Sequence, residues 1–238
     1  MDTPKQMLDE ISTRWPMIHD PAQFVLRYAP AIEGYLTALI RDPDQVDEVR
    51  QDFLLRVLQK GFGPEGNVKG RFRNYLKASV RNAALTHLRR KTPGQADSAI
   101  LAQVADESDV PSIEKEWLDQ WRRCVLEKAW EGLELYERQN RDNHAYTVLK
   151  IYVEHHATED SEQLAVRASK RLKKSLRGDA FRKQLSRARR LFAKLTAQEV
   201  VQTIESPTRQ RVEEELIDLG LFTDLQGFLS AAWLEEEK

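Results

Sequence analysis

A single cysteine, Cys124, stands among the 238 residues, which excludes an intramolecular disulfide and fits a reducing compartment. Long apolar runs are missing too, since none approaches the roughly 18 residues needed to cross a bilayer. The opening MDTPKQMLDEIS is acidic and lacks the apolar stretch of a secretory leader, so a cytoplasmic location with no membrane partner is expected. Glycine, at 10 residues, is scarce, and the β-branched clusters of sheet proteins do not occur. No ATP-binding motif is found, and no histidine or cysteine cluster has metal-ligand spacing, so neither a cofactor nor a metal is expected. His155 and His156 are adjacent and diverge on a helix, which argues against shared ligation. What remains is a chain with 32% charged residues and many helix formers, which points to an all-α fold.

The net charge of −1 conceals a strong segregation. Between Lys69 and Lys91 there are eight basic residues and no acid. Between Glu162 and Lys194 there are twelve basic residues against Glu162 and Asp179. Acids gather instead at 42–52, 106–116 and from 213 to the end. Two basic blocks on a balanced chain suggest two separate polyanion contacts, although a charged run can also be a plain solvated helix face.

The front half reads as three or four helices. Asp20-Pro21 and Asp42-Pro43 each place a capping acid before a proline at the first helical position. Tyr28, Ile32, Tyr35, Leu36 and Leu39 keep helical spacing, with Pro30 expected to kink or restart the helix. Val46, Val49, Phe53 and Val57 form the next apolar stripe. Gly61, Gly63, Pro64 and Gly66 mark a loop, and Phe72, Leu76, Val80 and Leu88 line a third helix. From 92 to 111 no stripe is clear, and proline and glycine suggest a linker. The chain therefore divides into a domain at 1–91, a linker at 92–111, a second helical domain at 112–204 and an acidic extension at 205–238. The second domain opens with a long amphipathic helix carrying Ile113, Trp117, Trp121, Val125, Ala129 and Leu133, and Trp117, Trp121 and Trp130 are expected to be core or interface aromatics. Cys124, on the buried side of that helix, is expected to pack.

The segment from Ser161 to Leu195 has the order of a helix-turn-helix: a short helix, the connection Lys173-Lys174-Ser175-Leu176-Arg177, and a longer basic helix. If Phe181, Leu185, Ala188 and Phe192 are buried, Arg182, Lys183, Ser186, Arg187, Arg189 and Arg190 face outward. Arginine grips guanine edges bidentately, while lysine and serine hold phosphate. Arg177 breaks a local rule, because it stands where a helix usually begins with Ser, Thr or Asp.

FRKQLSRARRLFAKL, Phe181 to Leu195, resembles the recognition helix of sigma region four, with its R-A-R core at Arg187, Ala188 and Arg189. QVDEVRQDFLLRVL, Gln45 to Leu58, is similar to the acidic signature of sigma region two, with Val46 replacing an alanine and Arg50 an apolar residue. GRFRNYLKASVRNAALTHLRR, Gly70 to Arg90, resembles the melting and −10 recognition helix that follows it, including the pair Arg81-Asn82. Both signatures occur in the right order on a short chain, which resembles the extracytoplasmic-function sigma factors.

The resemblance implies two helical domains that bind core RNA polymerase and promoter DNA. It gives polymerase binding, to the β′ clamp helices, to Asp47, Glu48, Gln51, Asp52 and Arg56. It gives −10 DNA contacts to Arg73, Lys77, Arg81, Asn82, His87, Arg89 and Arg90, with Phe72 better read as core. It gives −35 contacts to Lys174, Arg177, Arg182, Lys183, Ser186, Arg187 and Arg190. The β flap and an anti-sigma factor are further partners it admits. No catalytic residue is implied, since opening would draw on strand capture rather than hydrolysis. Three alternatives compete. Carboxylates at 44, 48 and 52 share a helix face and could hold a divalent metal, but no further ligands accompany them. An enzyme would need a convergent carboxylate or histidine cluster. A helix-turn-helix regulator would bind DNA without joining polymerase. The acidic extension could pack over the second domain and restrain its basic surface, or dock on another protein.

Overall fold

A computed structural model describes residues 20–62, 71–91, 104, 109–204 and 206–229. The linker expectation at 92–111 therefore lies largely outside the described residues. The protein is all-α, with no strand among the described residues and two isolated bridges, Ile40 with Val104 and Arg71 with Ile204. No helix among them is long and apolar enough to cross a membrane.

The helices are α1 (Pro21–Leu39), α2 (Pro43–Lys60), α3 (Phe72–Lys91), α4 (Val110–Gln139), α5 (Ala145–His155), α6 (Ser161–Leu172), α7 (Gly178–Gln202), α8 (Arg209–Asp218) and α9 (Phe222–Leu225). The first two begin as the Asp-Pro pairs dictate. Asp20 accepts from the amides of Ala22 at 2.9 Å and Gln23 at 3.3 Å, and Asp42 from that of Asp44 at 3.0 Å. Gly61, with φ at 77°, ends α2 in a conformation that suits glycine. Pro30, expected to kink or restart α1, sits inside one continuous helix. Pro30 and Leu26 lie on its exposed face, where water can take the carbonyl that the missing N–H leaves free.

The chain falls into two compact units. One comprises 13–124 with 201–207. In it α1 packs on α2 and α3, which also pack on each other. Phe24, Tyr28, Ile32 and Leu36 on α1, Val49, Phe53 and Val57 on α2, and Phe72, Leu76, Val80 and Leu88 on α3 are all buried. Trp117 and Trp121, from the first part of α4, are buried in this unit. Trp121 stacks on Tyr28 with ring centroids 5.2 Å apart, and Trp117 meets Tyr35 edge-on at 5.4 Å. The Cys124 thiol donates to the Arg27 carbonyl at 3.3 Å. The division between the two units falls inside α4, at Cys124–Val125. The two tryptophans account for it: their apolar surface is covered by the aromatics of α1 and α3.

The other unit comprises 125–200 with 208–238, of which 208–229 are described in the tail. Its core gathers Leu133, Val148, Leu149, Leu164, Ala168, Phe181, Leu185 and Ala188, and α5 packs on α6. The acidic extension folds here as well, with Val212, Leu216, Leu219 and Leu225 buried.

Candidate nucleic-acid interface

Helix α2 is two-faced. Val46, Val49, Phe53 and Val57 are buried, while Asp47, Glu48, Gln51, Asp52 and Arg56 are all exposed on the other side. All five residues assigned to polymerase contact therefore share one solvent-facing strip. Arg50 is tied back by Asp47 and Glu33, each at 2.9 Å. The Arg56 Nε donates to the Asp52 carbonyl at 3.2 Å, which extends the strip by a positive group.

Helix α3 lies beside it and supplies the cations. The His87 ring meets Asp52 at 3.3 Å through Nδ1 and Glu48 at 3.2 Å through Nε2, and Lys91 pairs with the same Glu48. A neutral imidazole can donate to only one of those carboxylates, while an imidazolium serves both. The Lys91 hydrogen bond, then the adjacent Lys91 and His87 charges, hold the Glu48 carboxyl below its ordinary range. One residue assigned to DNA is thus bonded to two assigned to polymerase.

The remaining residues of the basic helix separate by burial. Arg81, Asn82, Arg89 and Arg90 are exposed. Lys77 is ion-paired with Glu114 of α4, at 2.8 and 2.6 Å from its two carboxylate oxygens. Arg73, expected to face DNA, is buried at 7% exposure. It stands next to Phe72 in the first turn, and Phe72 docks in the aromatic core, which draws that turn inward. Between α2 and α3 runs an open groove of about 320 Å³ whose lining includes Phe53, Arg56, Phe62, Asn82 and Thr86. Phe62 was not singled out by the sequence, yet its ring contacts Phe24, Phe53, Phe72 and Tyr75, with centroids 4.7 to 6.0 Å apart. It lies between Gly61 and Gly63, and a periodicity search has no signal in such a loop.

In the second unit α6 and α7 form the expected helix pair. Asp160 begins α6 with a capping box: it accepts from Glu162 and Gln163 amides at 2.9 Å while its own amide donates to Gln163 Oε1 at 3.0 Å. Lys173, with φ at 52°, ends the helix in the left-handed region. Ser169 organises the turn, its Oγ donating to the Ala165 carbonyl at 2.8 Å and accepting from the Leu176 amide at 2.9 Å. The irregular start at Arg177 has a non-local explanation. Glu162 reaches across from α6 and accepts from the Gly178 amide at 3.1 Å. A β-carbon at Gly178 would collide with the Glu162 carboxylate, so a larger residue forces that side chain to shift.

On α7, Phe181, Leu185 and Ala188 are buried. Arg182, Lys183, Arg187 and Arg190 are exposed, as are Lys174 and Arg177 in the turn, and half-buried Ser186 lies 3.1 Å from Arg190. This is a continuous cationic face of the kind that grips phosphate and base edges. Arg189 departs from the outward expectation. It is half-buried, its guanidinium 4.3 Å from the Tyr152 ring centroid and 5.7 Å from that of Phe228.

Among the described residues this all-helical protein thus presents an acidic strip on α2 and cationic side chains on α3 and α7. Residues 24–93 match the model of the family described as Sigma-70 region 2, a span of 70 of the 238 residues that includes α1, α2 and α3. That match supports a member of the sigma-70 family. No curated protein and no solved structure matches the chain.

Proposed function

We propose that this chain is a sigma factor of the extracytoplasmic-function type, a non-enzymatic subunit that carries core RNA polymerase to promoters and helps to open them. The observation that carries this reading is the coincidence of the region 2 match at 24–93 with the exposed strip Asp47, Glu48, Gln51, Asp52 and Arg56. That strip is the surface to which the β′ clamp helices would bind, by charge complementarity rather than apolar burial. Beside it, Arg81, Asn82, Arg89 and Arg90 would track the non-template strand, and the Phe62-floored groove has room for an unstacked base. Lys77 and His87 would join them only on leaving their carboxylate partners, and Arg73 would act from within by holding the first turn of α3.

The second unit would read the −35 element through Lys174, Arg177, Arg182, Lys183, Ser186, Arg187 and Arg190. Functionally the chain would then divide into 1–91 for the clamp and −10 element, a linker at 92–111, 112–204 for the −35 element and flap, and the extension at 205–238. An anti-sigma factor is a further partner this role admits, and its cytoplasmic setting follows from that of polymerase.

Promoter opening tests the proposal. Permanganate reactivity of thymines around the −10 element should appear only when this protein and core polymerase from its host are both present. Duplex binding that needs no polymerase, with no opening when it is added, would favour a helix-turn-helix regulator instead.

A further inference from the structure

Arg189 and the acidic extension meet at a place neither was expected to occupy. On an α-helix, residues 182, 186 and 189 follow the i, i+4, i+7 row. Arg189 therefore belongs to the same edge of α7 as Arg182 and Ser186, on the flank of the cationic face. Its guanidinium nonetheless sits over Tyr152 of α5 at 4.3 Å and within 5.7 Å of Phe228, both distances within cation–π reach. Phe228 is fixed from the other side, because it follows α9 in a turn whose amides donate to the Leu225 carbonyl, from Phe228 at 2.9 Å and Leu229 at 3.2 Å. Leu225, Leu219, Leu216 and Val212 are buried, so the segment that carries Phe228 is part of the folded unit. The same segment exposes Glu214, Asp218 and Asp224, a negative field that opposes a phosphate backbone.

We propose that Tyr152 and Phe228 hold Arg189 out of DNA contact, making the extension at 208–229 a gate on the flank of the −35-reading face. This rests on the reading of α7 as a DNA-reading helix. A duplex that engages the full face must draw Arg189 from its aromatic partners and displace Phe228. A duplex bound with the gate closed uses only Arg182, Lys183, Ser186, Arg187 and Arg190. Arg189 is therefore a DNA-contacting residue whose availability the extension sets.

The test uses the full chain and a fluorescent random-sequence duplex two helical turns long, with anisotropy read across a salt series. Phe228→Ala should tighten binding by at least about fivefold and steepen the dependence on log salt by about one, the signature of an added cationic contact. Phe228→Leu keeps apolar volume but removes the ring, and should do the same if Phe228→Ala loosens the tail. Arg189→Ala should change little in the wild-type background and should abolish the gain in either Phe228 variant. Arg187→Ala reports on the face itself and should weaken binding in every background. Unchanged affinity and slope in both Phe228 variants, with Arg187→Ala still weakening, would overturn the gate and leave the DNA-reading face standing. An equal loss from Arg189→Ala with and without Phe228 would also overturn it, because Arg189 would already be in contact. No duplex binding by any form would overturn the DNA-reading face and the gate with it.

Discussion

Replacing Trp121 by alanine should destabilise the unit that carries the exposed acidic strip of α2, although Trp121 lies far along the chain from α1 to α3. The residue is 1% exposed, stacked on Tyr28 and close to Phe72 and Trp117, with centroids 5.9 and 5.8 Å away. An aromatic of this kind buries roughly 150–250 Å², worth about 4–6 kcal/mol at about 25 cal/mol per Å². That is an upper figure, because the unfolded chain already buries part of the area. A loss of about 3–5 kcal/mol is expected, in line with aromatic truncations in cores. Against a typical domain stability of about 5–15 kcal/mol, this is a large fraction. Amide hydrogen exchange read by mass spectrometry separates the units. Protection should fall across 21–60 and 72–91 and persist across 145–155 and 181–195. Protection lost only in the second set would refute the placement of the α4 tryptophans in the first core.

Three further outcomes follow from named contacts. The Glu48 carboxyl is held low by Lys91 and His87, so its link between α2 and α3 is complete above the ordinary carboxylate range and is lost as pH falls through the lowered folded value. An NMR titration of that carboxyl should show the depression and its relief in Lys91→Ala; an ordinary midpoint in the wild type would contradict it. Gly178→Ala should displace Glu162 from the start of α7 and cost about 0.5–2 kcal/mol, the usual value of a lost cap, and an unchanged thermal midpoint would show the cap to be idle. Because Glu162→Ala removes the same bond, the two changes together should cost less than their sum. Glu114→Gln should cost at most about 1 kcal/mol, as exposed ion pairs do, yet it should strengthen single-stranded DNA binding by freeing Lys77; a decrease would mean that the pair positions α3.

Local chemistry made much of the fold legible. Asp42-Pro43 and Gly61 bracket α2, and the stripe Val46, Val49, Phe53 and Val57 is the buried one. The acidic strip followed at once, because a helix that buries one face must present the other. What stayed hidden was set by distant partners. Charge alone does not separate Arg73, which is buried, from Arg81, which is exposed, since both lie in one basic run. The cap at Gly178 comes from Glu162, sixteen positions earlier, where no local motif would look. Trp117 and Trp121 have the spacing of an amphipathic helix, but periodicity does not name the surface a helix packs against. Arg189 lies on the outward flank by helical arithmetic, and only the folded positions of Tyr152 and Phe228 draw it away. Pro30 would break most helices, and the exposed position of its turn lets α1 continue.

The central claim is that the exposed acids of α2 dock this protein on polymerase. The direct measurement is a pull-down of core RNA polymerase from its own host with the full chain, beside a Glu48→Lys, Asp52→Lys double variant. The substitutions leave the core residues of α2 untouched but remove the contacts of Glu48 and Asp52 to His87 and Lys91, so circular dichroism must first show the variant to be folded. Recovery of polymerase by the wild type, lost in the variant, is the result this account expects. Failure of the folded wild type to bind core polymerase would contradict it and leave a DNA-binding regulator as the better description.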